Sequence, residues 1–290
     1  MRESSNPVFR SLPKTQGGYA QFGTGYAGGA QQVYQGQQAE PYIYPDQRQT
    51  GVSRPLTIDD VVTKTGITLG VLSIVAVISY FLTAGNPVLA GPFVMVGALG
   101  GLALVLVAVF ARKQDNPAIV LSYAALEGLF LGAISFVLSH WAVPGSSGSG
   151  TSSSAGALIA QAVLGTIGVF AGMLVVYKTG AIRVTPKFTR MLIAAMFGVL
   201  VLMLGNFVIS MFGSHDGGPL RNGGTLAIIF SLVCIGIAAF SFLIDFDAAD
   251  QMIRAGAPEK AAWGIALGLT VTLVWLYLEI LRLLSYFQRS

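Results

Sequence analysis

The chain has 290 residues, of which 53% are hydrophobic and only 10% are charged, and its formal net charge is +4 at pH 7. Soluble globular domains contain about 25% charged residues, so this composition excludes a water-soluble globule and predicts a polytopic membrane protein. The basic residues lie in short connections between apolar segments, which is a pattern of membrane topology. We therefore expect no nucleic-acid partner.

Residues 1–55 differ in composition from the rest of the chain. They are rich in Gly, Gln and Tyr and contain few aliphatic residues, so they cannot bury enough apolar surface to offset chain entropy. We expect a disordered cytoplasmic tail at 1–55 and a membrane domain at 56–290. A tail that binds a partner or itself through its tyrosines is the alternative. Thr57 and Asp60 then match a helix capping box, with Asp in place of Glu or Gln.

Seven apolar segments follow, and each is long enough to cross a hydrocarbon core of about 30 Å as a helix. The Gly/Ser-rich stretch 145–156 predicts a flexible loop between the third and fourth segments. The sequence thus predicts an all-α membrane protein, a seven-transmembrane helix bundle. The predicted spans are 64–84, 88–111, 117–140, 157–177, 189–212, 225–247 and 262–287.

The basic residues orient the bundle, because short cytoplasmic loops carry an excess of Lys and Arg. The opposite side has only Arg221 in its loops, so we expect a cytoplasmic N-terminus. Arg282 and Arg289 near the chain end leave open a seventh segment that crosses only in part. The connections on the amino-terminal side contain Arg112, Lys113, Lys178, Arg183, Lys187, Arg190, Arg254 and Lys260.

Small residues recur at four-residue spacing in three of the spans. This spacing lets the backbones of two helices approach closely within lipid, so we expect helix packing at each pair. The pairs are Gly97/Gly101, Gly128/Gly132 and Gly168/Gly172.

Acidic residues inside the spans are the candidate functional residues, since an ionised carboxylate at that depth requires a partner or a wet cavity. At about 1.5 Å per residue, Glu127 lies roughly 15 Å deep in the third span. Asp245 and Asp247 lie at the cytoplasmic end of the sixth span, and Glu279 lies nearer the outer face. If these helices line one interior, the acids form a path for cations or protons.

Each acid also has a purely structural interpretation. An Asp at a helix end is often only solvated, and Glu127 could be protonated and hydrogen bonded to a neighbouring helix. Glu279 and Arg282 have the i,i+3 spacing of a local ion pair. Asp245 and Asp247 are about 200° apart on a helix, so they cannot face the same partner.

Motifs of enzymes and of resident cofactors do not occur in the sequence. There is no P-loop, nucleophile elbow or HExxH motif, and the two histidines lack metal-ligand spacing. We expect neither an enzyme nor a cofactor.

Three segments together resemble a known family. FSFLIDFDAAD contains both aspartates of the sixth span, the final span ends LYLEILRLLSYF, and the third span contains ALEGLFLG. In these segments the chain resembles the transmembrane Bax inhibitor motif family, the Bax inhibitor/YccA-like proteins, over residues 57–290. The resemblance implies a bacterial-type member of the plasma membrane, with the last helix central in the bundle and the tail outside the family core.

The resemblance also implies a pH-sensitive calcium leak. In the calcium-leak members an acid on the sixth helix and one on the seventh share a proton; protonation closes the path and ionisation opens it. The sixth-helix acid corresponds to Asp245 or Asp247. The seventh-helix position corresponds to Glu279, or to Thr272 in a second register. The second register would leave Glu127 as the remaining carboxylate partner.

The permeant ion follows from the same resemblance. Two carboxylates in one low-dielectric site cannot both ionise cheaply, so such a pair responds to pH. Carboxylate oxygens also suit a hard cation, which makes calcium at Asp245 and Asp247 an expectation.

Functions from different classes remain open at this stage. The first is a pH-sensitive cation leak, for calcium or protons, gated by intramembrane carboxylates. The second is a non-conducting regulator that modulates a membrane protease or a stress response, with the tail at 1–55 as its docking arm. A proton-coupled transporter would favour inverted repeats, and the sequence contains no convincing repeat.

Overall fold

The computed structural model describes residues 54–142, 152–212 and 218–289, and side chains at 141–142, 152–154 and 289 are outside the description. Seven helices in this part of the chain are long and apolar enough to cross a membrane, which confirms the predicted all-α bundle. A short 3₁₀ turn, Pro87–Leu89, precedes the second helix. The predicted tail lies almost wholly outside the described residues. The helices are α1 Ile58–Gly85, α2 Ala90–Phe110, α3 Pro117–Ala142, α4 Ser152–Thr179, α5 Pro186–Phe212, α6 Thr225–Arg254 and α7 Ala261–Arg289.

Local sequence signals set several of the helix starts. The capping box of α1 is confirmed, because Thr57 Oγ1 accepts the Asp60 backbone N–H at 3.4 Å and Asp60 Oδ2 accepts the Thr57 N–H at 2.9 Å. Pro117 and Pro186 occupy the first positions of α3 and α5, where the missing N–H is not needed.

The prediction of a loop over the whole of 145–156 is wrong at its end. Helix α4 begins at Ser152 and so contains the last residues of that stretch. Ala155 is buried near the start of α4, and Leu158 one turn later is fully buried in a core cluster with α3 and α7. This packing extends the helix through residues of low helix propensity. Residues 145–151 lie outside the described ranges.

Helix α7 is the centre of the bundle, as the family resemblance implies. In its most apolar stretch 61% of the residues are buried, against 22% or less in α1, α2, α4 and α5. It packs against α1, α3, α4 and α6. It is also long enough for a complete crossing, so a partly crossing seventh segment is not needed.

Two of the three glycine pairs pack helices together as predicted. A Cβ on Gly97 would lie 2.7 Å from the Leu126 carbonyl oxygen of α3, and a Cβ on Gly132 would clash with the Ala76 carbonyl oxygen of α1. The prediction for Gly168 and Gly172 is wrong. Both are exposed on α4 with open space around them, since α4 turns this face away from its neighbours.

The helix connections define two sides of the bundle. We call the side where α1 begins the proximal side; the connections at 111–116, 180–185 and 255–260 lie there. The opposite, distal side has the connection between α5 and α6, which contains Arg221.

Candidate ion-path site

Asp245 and Thr272 form a contact between α6 and the central helix α7. The Thr272 Oγ1 donates a hydrogen bond to Asp245 Oδ2 at 2.7 Å. Thr272 is buried, and Asp245 is half-buried near the proximal end of α6. Of the two residues that the sequence offered for the seventh-helix position, Thr272 is therefore the one that faces the sixth-helix acid.

A cavity of about 390 Å³ leads to this contact from the proximal side; we call it the vestibule. Asp245 lines it on α6, and two residues without side-chain bulk, Gly264 and Gly268, line it on α7. Polar residues of the α2–α3 connection line its outer part, namely Arg112, Gln114 and Asp115. The Asp245 carboxylate is thus the acid at the membrane-spanning end of a cavity whose outer part carries polar side chains.

An ion pair, which we call the latch, joins two loops at the vestibule. Lys260 Nζ in the α6–α7 connection lies 2.9 Å from Asp115 Oδ2 in the α2–α3 connection. The hydrogen bond and positive charge of Lys260 hold the pKa of Asp115 below its usual value, against a weaker opposing effect of burial. The carboxylate of Asp115 therefore stays ionised and keeps its partner at neutral pH.

Glu259, the residue before Lys260, contacts a different part of the chain. Residues 54–57, which we call the strap, run beside the α6–α7 connection. The Leu56 N–H donates to the Ala257 carbonyl at 2.8 Å and the Glu259 N–H donates to the Arg54 carbonyl at 2.9 Å. The Glu259 carboxylate lies 3.7 Å from Arg54 and 4.0 Å from Lys64. The chain that precedes α1 is therefore fastened to the loop that carries the latch.

Asp247 has different surroundings from Asp245. Its Oδ2 accepts a hydrogen bond from Gln251 Nε2 at 2.6 Å, one turn later on the same helix. The two aspartates face different partners, as their rotation about α6 requires. In the described ranges no three His, Cys, Asp or Glu side chains come together in a group that could hold a metal ion. Calcium at Asp245 and Asp247 remains a prediction.

Glu127 lies on α3 and points at α2. It is 9% exposed, and a Cβ on Gly101 of α2 would lie 2.5 Å from its Oε2. Tyr123, one turn earlier on α3, lies beside the same glycine. Within the described ranges Glu127 makes no hydrogen bond and no ion pair, so the glycine provides space for a carboxyl group that lacks a polar partner.

Glu279 is bound by two guanidinium groups near the distal side. Its Oε1 lies 2.7 Å from Arg282 Nη1 on the same helix and 3.6 Å from Arg221 Nη2 in the α5–α6 connection. The side chain is 2% exposed. Both contacts use Oε1, whereas Oε2 is buried without a hydrogen-bond partner in the described residues. Glu279 therefore pairs with arginines, and Asp245 pairs with Thr272 instead.

Asp115 and Lys260 are the site residues that sequence reasoning missed. Both lie outside the spans, where charged residues are common and therefore do not indicate a functional site. The available signal was their opposite charge in two connections on the same side of the bundle. Helical periodicity does not show which loops contact each other, so this ion pair can be recognised only from the structure.

The comparisons with known proteins agree with this architecture. A sequence model of the family described as Bax inhibitor 1 like matches residues 6–289. No curated protein matches the chain significantly. The family match begins well before residue 57, so the expectation that the tail lies outside the family is wrong. The chain is a membrane protein of the Bax inhibitor 1 like family.

Proposed function

We propose that the protein is a pH-sensitive cation leak, with Asp245 as the charge that draws cations in and Ca²⁺ as the permeant ion. One observation carries the proposal: the Asp245 carboxylate lines the proximal vestibule and is hydrogen bonded across to the central helix. An intramembrane acid at the end of a polar cavity is a typical feature of an ion pathway.

The chemistry of the pair determines how it responds to protons. A pair of acids can share one proton and titrates in two coupled steps. Thr272 donates a hydrogen bond but does not ionise, so Asp245 titrates alone in this chain. The ionised carboxylate attracts a cation, and the protonated one does not. Flux therefore falls as pH decreases.

Calcium fits the oxygen atoms that line part of the vestibule. Carboxylate and amide oxygens are supplied by Asp245, Asp115 and Gln114, and Ca²⁺ binds such oxygens in flexible geometry. A permeant ion must also leave, so a weak and incomplete set of ligands suits conduction better than a closed site. Glu127 would be a second acid on the way through the bundle.

The proposal includes an orientation. The proximal connections carry most of the loop Lys and Arg residues, whereas Arg221 is the basic residue of the distal loops. By the positive-inside rule the proximal side and the N-terminus face the cytoplasm, in a bacterial plasma membrane. The vestibule then opens to the cytoplasm, and the leak responds to cytoplasmic pH.

Calcium flux into liposomes tests the proposal with a matched pair of variants. We expect Asp245→Asn to lower flux at pH 7.5 by about tenfold, because a charged cleft concentrates its counter-ion by factors of this size. It should also remove the pH dependence between pH 5 and 8. Asp247→Asn, on the same helix two residues later, should behave like the wild type. An inert wild-type protein, or equal effects of the two variants, would contradict the proposal.

A second candidate function is a non-conducting regulator of a membrane protease or stress response. The strap favours it, because its backbone hydrogen bonds fasten the chain before α1 to the α6–α7 connection. If this function is correct, deleting residues 1–50 abolishes regulation in cells while Asp245→Asn is tolerated. The opposite pattern supports the leak.

A further inference from the structure

We propose that a cavity near the distal side binds one acyl chain of a bilayer phospholipid. The cavity has a volume of about 570 Å³, and we call it the distal chamber. Its walls come from residues within 69–81 of α1, 131–135 of α3, 156–167 of α4 and 273–277 of α7. This inference does not depend on ion conduction.

The position of the chamber exposes it to lipid. All four wall segments belong to membrane-spanning helices, and the chamber extends from the middle of these helices toward their distal ends. Helices α1 and α4 both pack against α3 and α7, and the chamber separates α1 from α4. The opening between these two helices therefore faces the hydrocarbon of the distal leaflet. Hydrocarbon chains are the molecules present there at the highest concentration.

The polar atoms of the walls favour an apolar ligand. Ser135 Oγ donates to the Leu131 carbonyl at 2.6 Å and is hydrogen bonded to the Tyr277 hydroxyl at 2.7 Å. Thr166 Oγ1 donates to the Ala162 carbonyl at 2.8 Å. These buried hydroxyls are already bonded within the protein, and none of the wall residues is charged. The hydroxyls of Ser73 and Tyr80 also line the chamber, but a polar ligand would exchange its hydrogen bonds to water for at most these two groups.

The size and the mouth of the chamber indicate which apolar ligand it takes. Its volume lies within the range of roughly 300–1,000 Å³ that is typical of small-molecule sites. Tyr80 and Phe81 of α1 and Gly156 of α4 line it close to the distal ends of their helices. Aromatic rings are favoured at that level, next to the lipid headgroups. A phospholipid can keep its headgroup in the interface and place one chain between α1 and α4.

The chamber can be filled by larger side chains at two positions of α4. A Cβ on Gly156 has no neighbour within 4 Å, and the same is true of Gly168, which lies further along α4 outside the chamber. Val163 lines the chamber, whereas the adjacent Leu164 does not and is 69% exposed. Gly156→Phe and Val163→Trp are therefore the test variants, and Gly168→Phe and Leu164→Trp are their controls.

Photo-labelling of the full chain in liposomes tests the proposal. The vesicles contain phosphatidylethanolamine and phosphatidylglycerol, with a fraction of the phosphatidylethanolamine carrying a diazirine on one acyl chain. We expect adducts to concentrate on the wall segments of α1, α4 and α7. Gly156→Phe and Val163→Trp should lower this labelling roughly fivefold, since a ring in the same space excludes the chain. The two controls should leave it unchanged.

Each of the remaining outcomes overturns the proposal. Labelling spread evenly over the exposed faces of α4 and α5 would mean that lipid only surrounds the protein. An equal loss of labelling in the test and control variants would mean that the substitutions affect folding in general, and circular dichroism of each variant measures this effect. If unlabelled free fatty acid removes the adducts at concentrations that leave bilayer composition unchanged, the ligand is a free fatty acid and not a phospholipid chain.

Discussion

At the scale of single residues, hydrogen bonding distinguishes carboxylates that are similar in the sequence. Asp245 reaches across to Thr272, whereas Asp247 bonds to Gln251 on its own helix. Glu279 contacts two arginines and Glu127 faces a glycine. Four acids in or at the ends of spans thus have four different environments. Only Asp245 combines a contact to α7 with the vestibule.

The Thr272 hydroxyl should set the pH range of the proposed leak. It donates to the Asp245 carboxylate, and a hydrogen bond to a charged group contributes about 1.5–3 kcal/mol. Thr272→Val keeps the shape of the side chain and removes the donor, so the ionised form is less favoured. We expect the pH midpoint of calcium flux to move upward by about one unit. Thr272→Ser keeps the donor and should leave the midpoint close to that of the wild type; a common midpoint for all three proteins would refute the assignment.

Glu279 should matter for stability and not for pH sensing. Removal of one member of a buried ion pair typically costs about 3–5 kcal/mol, because the partner charge stays buried. Glu279→Ala leaves Arg221 and Arg282, which are 24% and 18% exposed, without their shared acid. We expect its free energy of unfolding in mixed micelles to fall by about 3 kcal/mol.

The control for this substitution is an exposed pair. Asp250 and Arg254 form an ion pair at 2.8 Å in which the arginine is 78% exposed. Asp250→Ala should cost no more than about 1 kcal/mol. The pH midpoint of flux should stay unchanged in both variants, and a shifted midpoint in Glu279→Ala would show that this acid takes part in sensing after all.

At the scale of helices, the three glycine pairs look equivalent in the sequence but differ in their surroundings. A Cβ on Gly128 would lie 2.5 Å from the Leu72 carbonyl oxygen of α1, whereas a Cβ on Gly168 would meet nothing within 4 Å. The spacing indicates which helices can approach a neighbour closely. It does not indicate whether a neighbour is present on that face, because the partner is chosen by the arrangement of all seven helices.

This difference predicts opposite effects of the same substitution. Gly128→Ala forces α1 away from α3, and overpacking of this kind costs about 1–3 kcal/mol. Gly168→Ala introduces a methyl group on an exposed face and should leave stability unchanged, or raise it by up to about 1 kcal/mol through helix propensity. Denaturation in mixed micelles measures both. Equal losses of stability would mean that α4 uses its glycine face in an assembly.

At the scale of the whole molecule, the fold was far more predictable than the site. Length and apolarity suffice to predict the spans, since a helix in lipid must satisfy its own backbone hydrogen bonds over the full hydrocarbon thickness. Helical periodicity also predicts that Asp245 and Asp247 lie on different faces of α6. Neither property identifies Thr272 as the partner of Asp245 or Arg221 as a partner of Glu279. Those contacts depend on the relative rotation and height of helices that are distant in sequence.

The latch provides a prediction about the proximal mouth. Lys260→Ala frees Asp115 and removes a positive charge beside the vestibule, so calcium flux at pH 7 should rise severalfold. The pH midpoint should stay the same. Lys260 holds the pKa of Asp115 below its usual value. The ion pair therefore stabilises the folded protein above about pH 4, and this stabilisation is lost only as pH falls through the lowered pKa. Arg254→Ala is the control, because its pair lies within α6. A shifted midpoint in Lys260→Ala would make the latch the pH sensor.

Glu259 and Lys260 are consecutive residues that are held by different parts of the chain, one by Arg54 and Lys64 and the other by Asp115. A short backbone link of this kind cannot lengthen, so a displacement of either neighbour is transmitted to the other. Traction on the polypeptide ahead of Arg54, from a bulky fused domain or a captured protein, would therefore displace Lys260 at the rim of the vestibule. If the proposed leak is correct, the amino-terminal region acts as a mechanical lever on permeation without any contact with the ions themselves.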